Sequence, residues 1–308
     1  MNIVFMGTPD FSVPCLQRLI DDGHNVSAVF TQPDKPKGRG HHMMPPPVKE
    51  LAVKYNIPVY QPQRLRTSDD IDTLRKIAPE LIIVVAYGQI LPQSVLDIPK
   101  YGCINIHASL LPRYRGAAPI QWCVLNGEKK SGVTSMQMDA GLDTGDMLLS
   151  AEAEIGENDT AEDLHDKLSV LGAQVMSETI ALLQKGELEP KKQDDSLSNY
   201  APMLSKELCP INWNESAQSV HNKVRGLYSW PCATASLDGK LMKIHKTALC
   251  GKVSGKAGEI AESGKKLIVA CGDGQGVEII TLQAQGKKAM SAADYLRGNP
   301  VEKGKFFE

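Results

Sequence analysis

Short apolar runs alternate with amphipathic stretches over residues 1–185 of the chain. Four runs have the length and composition of buried strands: residues 3–6, 26–30, 81–86 and 103–107. Helical periodicity lies between them, at residues 14–21, 48–55 and 68–77. Residues 81–85 (Leu-Ile-Ile-Val-Val) are uninterrupted by a polar side chain, which is typical of a strand covered on both faces. The alternation predicts an α/β domain with a doubly wound, mainly parallel sheet.

Two more strands and one long helix are predicted at the end of this region. The strands occupy residues 131–138 and 147–155, and the helix residues 160–185. Thr160 suits the N-cap of that helix, with Asp163 at the reciprocal capping-box position. Gly186 is a typical stop.

The character of the sequence changes after residue 186. Residues 187–205 are polar and lack periodicity, so we interpret them as a linker between residues 1–186 and a second domain, residues 206–308. The second domain contains closely spaced strand-like runs at residues 232–237, 241–249, 267–271 and 277–282. Asp238-Gly239 supplies a hairpin turn between the first two runs. Helices are predicted at its two ends, over residues 216–225 and 291–297. Short strands in this arrangement favour a small β-barrel.

One connection breaks the α/β rhythm, between the second strand and the next helix. Residues 31–47 are longer than the roughly 2–6 residues usual for such a connection. The basic side chains of this loop are Lys35, Lys37, Arg39, His41 and His42. A solvated charged loop would explain them, and so would a flexible arm, kept mobile by Gly38 and Gly40, that grips nucleic acid.

Composition limits the class of protein. The chain has 308 residues, of which 42% are hydrophobic and 23% charged, as in a globular protein. It has no apolar run near the ~20 residues of a membrane span, and Met1 leads directly into a strand-like segment. The seven cysteines are scattered without a Cys-x-x-Cys pair, which predicts reduced, mostly buried thiols. We expect a cytoplasmic monomer.

The net charge of −2 conceals an asymmetry. Residues 205–308 hold 15 Lys and Arg against 10 Asp and Glu, whereas residues 1–204 hold 19 against 26. The basic C-terminal part is compatible with a polyanionic partner on one side, and also with ordinary surface variation.

The candidate chemistry lies where the strand at residues 103–107 ends. Asn105 and His107 are two residues apart, so both side chains project from the same face of the strand. Ligands of open parallel sheets bind beyond the carboxyl ends of the strands. Asp143, in the glycine-marked loop after the next strand, could return to this edge and orient the imidazole. An amide, an imidazole and a carboxylate suit acyl transfer between two bound substrates, because such transfer needs donors for an oxyanion and a proton shuttle.

Three other chemistries fit the sequence poorly. Ser109 as a nucleophile lacks the Gly-x-Ser-x-Gly elbow of hydrolases. The run Met6-Gly7-Thr8-Pro9-Asp10 has one glycine where a dinucleotide-binding loop needs three. The adjacent histidines His41 and His42 lie in the long loop rather than in a metal-ligand cluster, so no metal site is predicted.

The chain resembles the folate-dependent formyltransferase family. The similarity rests on residues 105–112 (Asn-Ile-His-Ala-Ser-Leu-Leu-Pro), on their continuation to Pro119, and on residues 141–145 (Gly-Leu-Asp-Thr-Gly). It implies Asn105, His107 and Asp143 as catalytic residues and an OB-like barrel after a Rossmann-like domain. It also implies a folate cleft lined by the four residues Ser109, Leu110, Leu111 and Pro112, next to a pterin pocket walled by residues 87–92.

The resemblance implies 10-formyltetrahydrofolate as co-substrate, with no tightly bound cofactor and no protein-bound metal. The basic loop and the C-terminal region extend it to members that formylate methionyl initiator tRNA. Arg39 falls on the key tRNA-contacting arginine of that loop, and Lys35 and Lys37 lie beside it. Two alternatives remain: formyl transfer to a sugar nucleotide, a purine precursor or water, and a non-catalytic RNA-binding protein on a decayed enzyme scaffold.

Overall fold

The computed structural model describes residues 1–37 and 42–308, and of Lys37 and His42 it describes the backbone alone. The chain forms two compact units. The first unit comprises Met1–Gly116, Ser131–Ala153 and His165–Ala201; the second comprises Ala117–Lys130, Glu154–Leu164 and Pro202–Glu308. The domain division at residues 1–186, 187–205 and 206–308 stays a prediction. In the part of the chain that the structure describes, helices are too short or too polar to cross a membrane.

The first unit is built on a mainly parallel sheet. Its strands are β1 (Asn2–Gly7), β2 (Asn25–Phe30), β5 (Val59–Tyr60), β6 (Leu81–Val85), β7 (Cys103–His107), β9 (Lys130–Gln137) and β10 (Met147–Glu154). Two further strands of the unit, β8 (Arg115–Gly116) and β11 (Tyr200–Ala201), pair in parallel apart from this sheet. The main sheet has the order β10-β9-β7-β6-β1-β2-β5. The pairs β1–β2, β1–β6, β2–β5 and β6–β7 are parallel, and β7–β9 is antiparallel. The predicted doubly wound sheet is confirmed.

The predicted helices begin and end within a few residues of their expected positions. The helices of the structure are α1 (Val13–Asp21), α2 (Pro47–Lys54), α3 (Ser68–Ile77), α4 (Gln93–Leu96), α5 (Pro119–Leu125), α6 (Ala161–Lys185), α7 (Ala217–Gly226) and α8 (Ala292–Gly298). The two short helices α4 and α5 were not predicted. Single turns of 3-10 helix occur at Asp10–Ser12, Asp195–Leu197 and Lys206–Leu208. The predicted capping box of α6 is confirmed: the backbone N–H of Asp163 donates to Thr160 Oγ1 (3.1 Å), and that of Thr160 donates to Asp163 Oδ2 (2.8 Å).

The strand order reverses between β1 and β6, which makes this the switch point of the sheet. Val84 of β6 pairs with Met6 of β1 on one side and with Asn105 of β7 on the other. His107 therefore lies one side-chain repeat beyond that row, at the carboxyl end of β7. The two predicted catalytic residues of β7 consequently face the crevice in which ligands of such sheets bind.

The long connection at residues 31–47 is described at its two ends, and its role as a flexible arm stays a prediction, since Gly38, Arg39, Gly40 and His41 lie outside the described residues. It contains an antiparallel pair, β3 (Lys35–Lys37) with β4 (His42–Met44). Asp34, at the base of this pair, accepts hydrogen bonds from Lys49 Nζ (2.8 Å) and Gln61 Nε2 (2.7 Å). The hydrogen bonds from Gln61 and Lys49 lower the pKa of the Asp34 carboxyl. The loop's acidic residue is therefore fixed to the body of the domain.

The second unit contains an antiparallel sheet. Its strands are β12 (Ala233–Leu237), β13 (Lys240–Lys252), β14 (Ile260–Glu262), β15 (Ile268–Ala270), β16 (Gln275–Ala284) and β17 (Met290–Ser291). The order is β12-β13-β16-β15-β14, with β17 on β16. Asp238 (φ 50°) and Gly239 (φ 73°) form the predicted hairpin turn, since both adopt the left-handed conformation that such a turn requires.

The C-terminal residues join the two edges of this sheet. Leu237 of β12 pairs with Phe307, and Glu259, next to β14, pairs with Phe306. The backbone N–H of Glu308 donates to Ser236 O (2.8 Å), and that of Phe307 donates to Gly258 O (2.8 Å). The closure leaves a barrel filled by apolar side chains, as an OB-like fold requires. The cysteines are free, and all but the half-buried Cys250 are buried, as predicted.

Candidate active site

Three side chains converge at the carboxyl end of β7. Asn105 Nδ2 lies 3.4 Å from Asp143 Oδ1, and His107 Nδ1 lies 3.7 Å from Asp143 Oδ2. The side chains of His107 and Asp143 are 6% and 13% exposed. Charges and dipoles act strongly at such low exposure. The predicted cluster is thus assembled in space, although 36 residues separate His107 from Asp143 in the sequence. The catalytic role of these residues stays a prediction.

The other nitrogen of the imidazole is engaged by the backbone. His107 Nε2 lies 2.9 Å from the carbonyl oxygen of Tyr114. A carbonyl only accepts, so Nε2 is the donor, and Nδ1 is the nitrogen that faces Asp143. The imidazole is therefore held between a backbone carbonyl on one side and a carboxylate on the other.

The Asp143 carboxylate is anchored independently of His107. The backbone N–H of Gly116 donates to Asp143 Oδ2 at 2.8 Å. Asp143 itself has a φ of 53°, a left-handed conformation that few residues other than glycine adopt. Its loop is shaped by Asp139, whose carboxylate accepts from the backbone N–H of Gly141 (3.0 Å) and from Thr144 Oγ1 (2.8 Å). Asp139 thus shapes the turn that carries Asp143.

Gly145 permits the loop to return to the sheet. A Cβ atom at this position would lie 1.7 Å from the carbonyl oxygen of Gln137, so a side chain cannot be accommodated there. The backbone N–H of Gln137 in turn donates to Asp146 O at 2.9 Å. The glycine that marked this loop in the sequence is required for the close approach that brings Asp143 to β7.

The segment that follows β7 is fixed by its own hydrogen bonds. Ser109 is fully buried, and its Oγ donates to Arg113 O (2.7 Å). Thr134 Oγ1 donates to Ser109 O (2.8 Å) and accepts from the backbone N–H of Leu111 (3.2 Å). Leu110 fills the space above Gly132, where a Cβ would lie 2.5 Å from Leu110 Cδ2. These contacts make residues 109–112 rigid; their binding of folate stays a prediction.

A second fixed segment follows the neighbouring strand, β6. After β6 the backbone takes left-handed conformations at Ala86 (φ 47°) and Gly88 (φ 81°). The carbonyl of Tyr87 between them accepts from Thr8 Oγ1 (2.9 Å) and from Gln32 Nε2 (3.2 Å). Burial raises the pKa of the Tyr87 hydroxyl above its usual range. Tyr87 is therefore a neutral side chain packed in the apolar core of the first unit, and the pterin pocket walled by residues 87–92 stays a prediction.

A protein nucleophile is disfavoured at this site. Cys103, at the start of β7, is the cysteine nearest to the cluster in sequence. It is 1% exposed, and burial raises its pKa to about 12, which keeps it a thiol at neutral pH. The Ser109 hydroxyl is engaged with Arg113 as described. Direct transfer between two bound substrates fits these residues better than a covalent protein intermediate.

Metal chemistry has no candidate ligand set here. Among residues 1–37 and 42–308, three or more His, Cys, Asp or Glu side chains are nowhere grouped so that they could hold a metal ion.

The tRNA-contacting residues predicted in the long loop are only partly described. Lys35 lies in β3 with an exposed side chain. The backbone of Lys37 ends the same strand. Arg39 and His41 lie outside the described residues.

Sequence reasoning missed three partners of the cluster. They are the carbonyl of Tyr114, the N–H of Gly116 and the side chain of Gln193, whose Nε2 donates to the carbonyl of Asp143 (2.8 Å). Tyr114 and Gly116 stand in the family-like run after Pro112, where the backbone rather than a side chain carries the interaction. Gln193 lies in the aperiodic polar segment and gives no signal in the sequence.

The chain matches two family models: "Formyl transferase" over residues 1–180 and "Formyl transferase, C-terminal domain" over residues 203–300. It is 53% identical to methionyl-tRNA formyltransferase of Geobacter sulfurreducens over 305 residues, 99% of this chain and 96% of that protein. It is 50% identical to methionyl-tRNA formyltransferase of Alkaliphilus oremlandii over 305 residues, 99% of this chain and 98% of that protein.

Two solved structures share the fold. One is WlaRD, a sugar 3N-formyl transferase solved in the presence of dTDP and 5-N-formyl-THF, with a TM-score of 0.69, 23% identity, and coverage of 94% of this chain and 99% of that one. The other is an N-formyltransferase from Helicobacter canadensis in complex with folinic acid and dTDP-3-aminofucose, with a TM-score of 0.70, 22% identity, and coverage of 92% and 98%. At this identity the likeness shows a common fold.

Proposed function

The chain belongs to the formyl transferase family, and on that premise we propose that it formylates methionyl initiator tRNA. The formyl donor is 10-formyltetrahydrofolate, and the product is N-formylmethionyl-tRNA, which serves in translation initiation. The enzyme is a one-carbon group transferase.

One observation carries the choice of acceptor. The 53% identity to a methionyl-tRNA formyltransferase runs through 99% of the chain and therefore through both matched domains. The solved sugar formyltransferases share the fold at 22–23% identity. Because fold alone does not fix the substrate, the full-length relationship decides between a tRNA and an amino sugar.

The reaction moves one proton together with the formyl group. The neutral α-amine attacks the formyl carbon, a C–N bond forms, and the carbonyl oxygen becomes an oxyanion. The bond from the formyl carbon to N10 of the folate then breaks, and N10 receives the proton that the amine loses. The protein must stabilise the oxyanion and carry that proton.

The three clustered side chains are suited to these two tasks. An Asn105 amide hydrogen can donate to the oxyanion, since the side chain has two hydrogens and only one faces Asp143. Asp143 and His107 face each other through Oδ2 and Nδ1, and together they relay the proton. Gly116 fixes the carboxylate during this exchange.

We assign the following residues to the two substrates. Ser109, Leu110, Leu111 and Pro112 contact the folate, and residues 87–92 wall its pterin. Lys35, Lys37 and Arg39 contact the tRNA, and residues 206–308 form the domain that binds it. We further propose that the enzyme acts in the cytoplasm as a monomer. One chain supplies Asn105, His107 and Asp143, so this cluster needs no second copy, and sedimentation at micromolar concentration tests the monomer.

Formylation of methionine-charged initiator tRNA by 10-formyltetrahydrofolate tests the proposal directly. We expect rapid conversion of the initiator, and slow conversion of methionine-charged elongator tRNA. A dTDP-amino sugar should remain unmodified, and the folate should not be hydrolysed when tRNA is left out. Formylation of the sugar would show that the acceptor is an amino sugar, and folate hydrolysis at the rate seen with tRNA would show that it is water.

A further inference from the structure

Two residues beside His107 have left-handed backbones. Tyr114, whose carbonyl accepts from His107 Nε2, has a φ of 60°, and Asp143, which faces Nδ1, has a φ of 53°. Tyrosine holds such a conformation only where its surroundings enforce it, whereas aspartate adopts it more readily than most residues. The imidazole therefore takes its position from two residues with left-handed backbones, one on each side.

One short segment bonds to both of these residues. Gln193 Nε2 donates to the carbonyls of Asp143 (2.8 Å) and Gly145 (2.8 Å). Six residues later, the side-chain oxygen Oδ1 of Asn199 accepts from the backbone N–H of Tyr114 (2.5 Å). The backbone carbonyl of Asn199 accepts from the backbone N–H of Arg115 (3.0 Å). Residues 193–199 thus hold the backbone at Asp143 and at Tyr114.

Arg115 determines how the Gln193 amide is turned. Its Nε and Nη2 donate to Gln193 Oε1 at 3.0 Å and 2.8 Å. Because a guanidinium has only donors, the oxygen of Gln193 must face Arg115 and the NH₂ group must face the carbonyls of the loop. Arg115 Nη2 also donates to Asp195 Oδ1 (2.7 Å), and the arginine side chain is only 12% exposed.

We propose that Gln193 is a positioning residue for formyl transfer, which holds Asp143 in register with His107 through the Asp143 main chain. Asn199 does the same for the Tyr114 carbonyl on the opposite side of the imidazole. The proposal rests on the proposed function of the Asn105–His107–Asp143 cluster. It gives the polar segment 187–205 a role in the chemistry besides that of a connection.

Two matched pairs of variants test this. Gln193→Glu keeps the oxygen that faces Arg115 but places a second oxygen against the carbonyls of Asp143 and Gly145. Gln193→Ala removes the contacts with Arg115 and with both carbonyls. Asn199→Asp keeps the acceptor for the Tyr114 N–H, whereas Asn199→Ala loses it. We expect both Gln193 variants and Asn199→Ala to lose on the order of ten- to a hundredfold in kcat, with little change in KM for the folate. Asn199→Asp should retain the wild-type kcat.

The controls separate positioning from stability. Ser196→Ala alters the same segment at a hydroxyl that bonds to Asp194 (2.7 Å), and should leave kcat and Tm unchanged. The pH dependence of kcat and the NMR titration of the His107 ring in substrate-free enzyme should move in both Gln193 variants. The ring signal is assigned by its loss in His107→Ala.

The outcomes are distinct. A lowered Tm with an unmoved His107 titration and pH profile would reduce Gln193 to a structural residue and overturn the proposal. Unchanged kcat in both Gln193 variants would also overturn it. Failure of the wild-type enzyme to formylate charged tRNA would contradict the proposed function instead, and the His107 titration would still decide whether Gln193 positions the site.

Discussion

The imidazole of His107 donates from Nε2 to the carbonyl oxygen of Tyr114, over a distance of 2.9 Å. This bond leaves Nδ1 as the nitrogen that faces the Asp143 carboxylate, and the proposed mechanism exchanges the proton there. In that mechanism Asn105 supplies the hydrogen for the oxyanion, because the Nε2–H of His107 is already engaged. The sequence placed the three residues together, whereas the backbone carbonyl that fixes the tautomer is visible only in the structure.

Asn105→Ala and His107→Ala should each lower kcat by on the order of a hundredfold or more, because donors to a developing oxyanion and proton shuttles contribute about that much. Folate binding should persist in both variants. Single-turnover formylation together with fluorescence titration of the folate measures the two effects separately. Asn25→Ala is the matched control, since Asn25 is exposed at the opposite end of the sheet. Near wild-type turnover in a folded Asn105→Ala variant would remove the amide from the mechanism.

Asp143→Asn should be nearly inactive. The substitution keeps the shape of the side chain and an oxygen for the Gly116 N–H, but removes the charge that faces His107 Nδ1. Asp139→Asn makes the same change in the same loop, at a carboxylate that shapes the turn, and should cost far less activity. The measurement is kcat for the two variants over a range of pH. Equal losses would assign the effect to the loop rather than to the charge.

Much of the fold could be predicted from hydrophobic pattern. The strand at Leu81–Val85 and the helix at Ala161–Lys185 appear in the sequence as a continuous apolar run and as a capped periodic segment. The short strand Ile260–Glu262 and the pairing of Phe306 and Phe307 were missed. Their pairing depends on partners far away in the chain. Segments of two or three residues are also too short to show a hydrophobic periodicity.

The strand Lys240–Lys252 shows a second limit. The buried residues Met242 and Ile244 are two positions apart, as strict alternation requires, but the next buried residue, Thr247, comes three positions later. The register shifts between Ile244 and Lys246, which shows a bulge at His245. Lys243 is exposed by ordinary alternation, whereas Lys246 is exposed because of the bulge, since strict alternation would place it on the buried face with Met242 and Ile244.

The folding stability of the second unit should depend on His221. His221 is 2% exposed; its Nδ1 lies 2.9 Å from Thr247 Oγ1 and its Nε2 lies 3.2 Å from Glu157 O. Burial lowers the pKa of His221, and the nearby Arg225 acts in the same direction, whereas Glu157 opposes it. The folded state therefore favours the neutral ring. The stability gained is fully present above the unfolded pKa of about 6.5 and is lost as pH falls through the lower folded pKa.

Urea unfolding at about pH 7.5 and about pH 5.5 measures this effect. The loss of unfolding free energy between the two pH values should be smaller in His221→Gln than in the wild type. An equal loss in the two proteins would place the pH-sensitive group elsewhere.

Removal of metal ions should leave the chemistry intact. The proposed transfer uses Asn105, His107 and Asp143 alone, and a requirement for magnesium should arise from the tRNA. We expect enzyme treated with a strong chelator to formylate pre-folded charged tRNA at the untreated rate. A loss of activity that zinc restores would contradict this expectation.

The last prediction separates dispersed phosphate contacts from a specific one. Lys243 and Lys246 are exposed on the same strand, β13. Lysines of this kind neutralise phosphates additively. The double variant Lys243→Ala, Lys246→Ala should therefore weaken tRNA binding broadly, and the negative slope of log K against log salt should become shallower by about two. The exposed pair Lys54 and Lys76, on α2 and α3, provides the control double variant. It should leave that slope nearly unchanged.

Arg39→Ala should act differently, because a specific arginine contact carries discrimination as well as affinity. It should lower formylation of initiator tRNA more severely than the lysine pair does, and narrow the preference over a mismatched tRNA, while folate binding stays normal. The measurement is the formylation rate against tRNA concentration at two salt concentrations for both tRNAs. Wild-type rate and selectivity in Arg39→Ala would exclude the long loop from recognition, and residues 206–308 would then have to supply the discrimination.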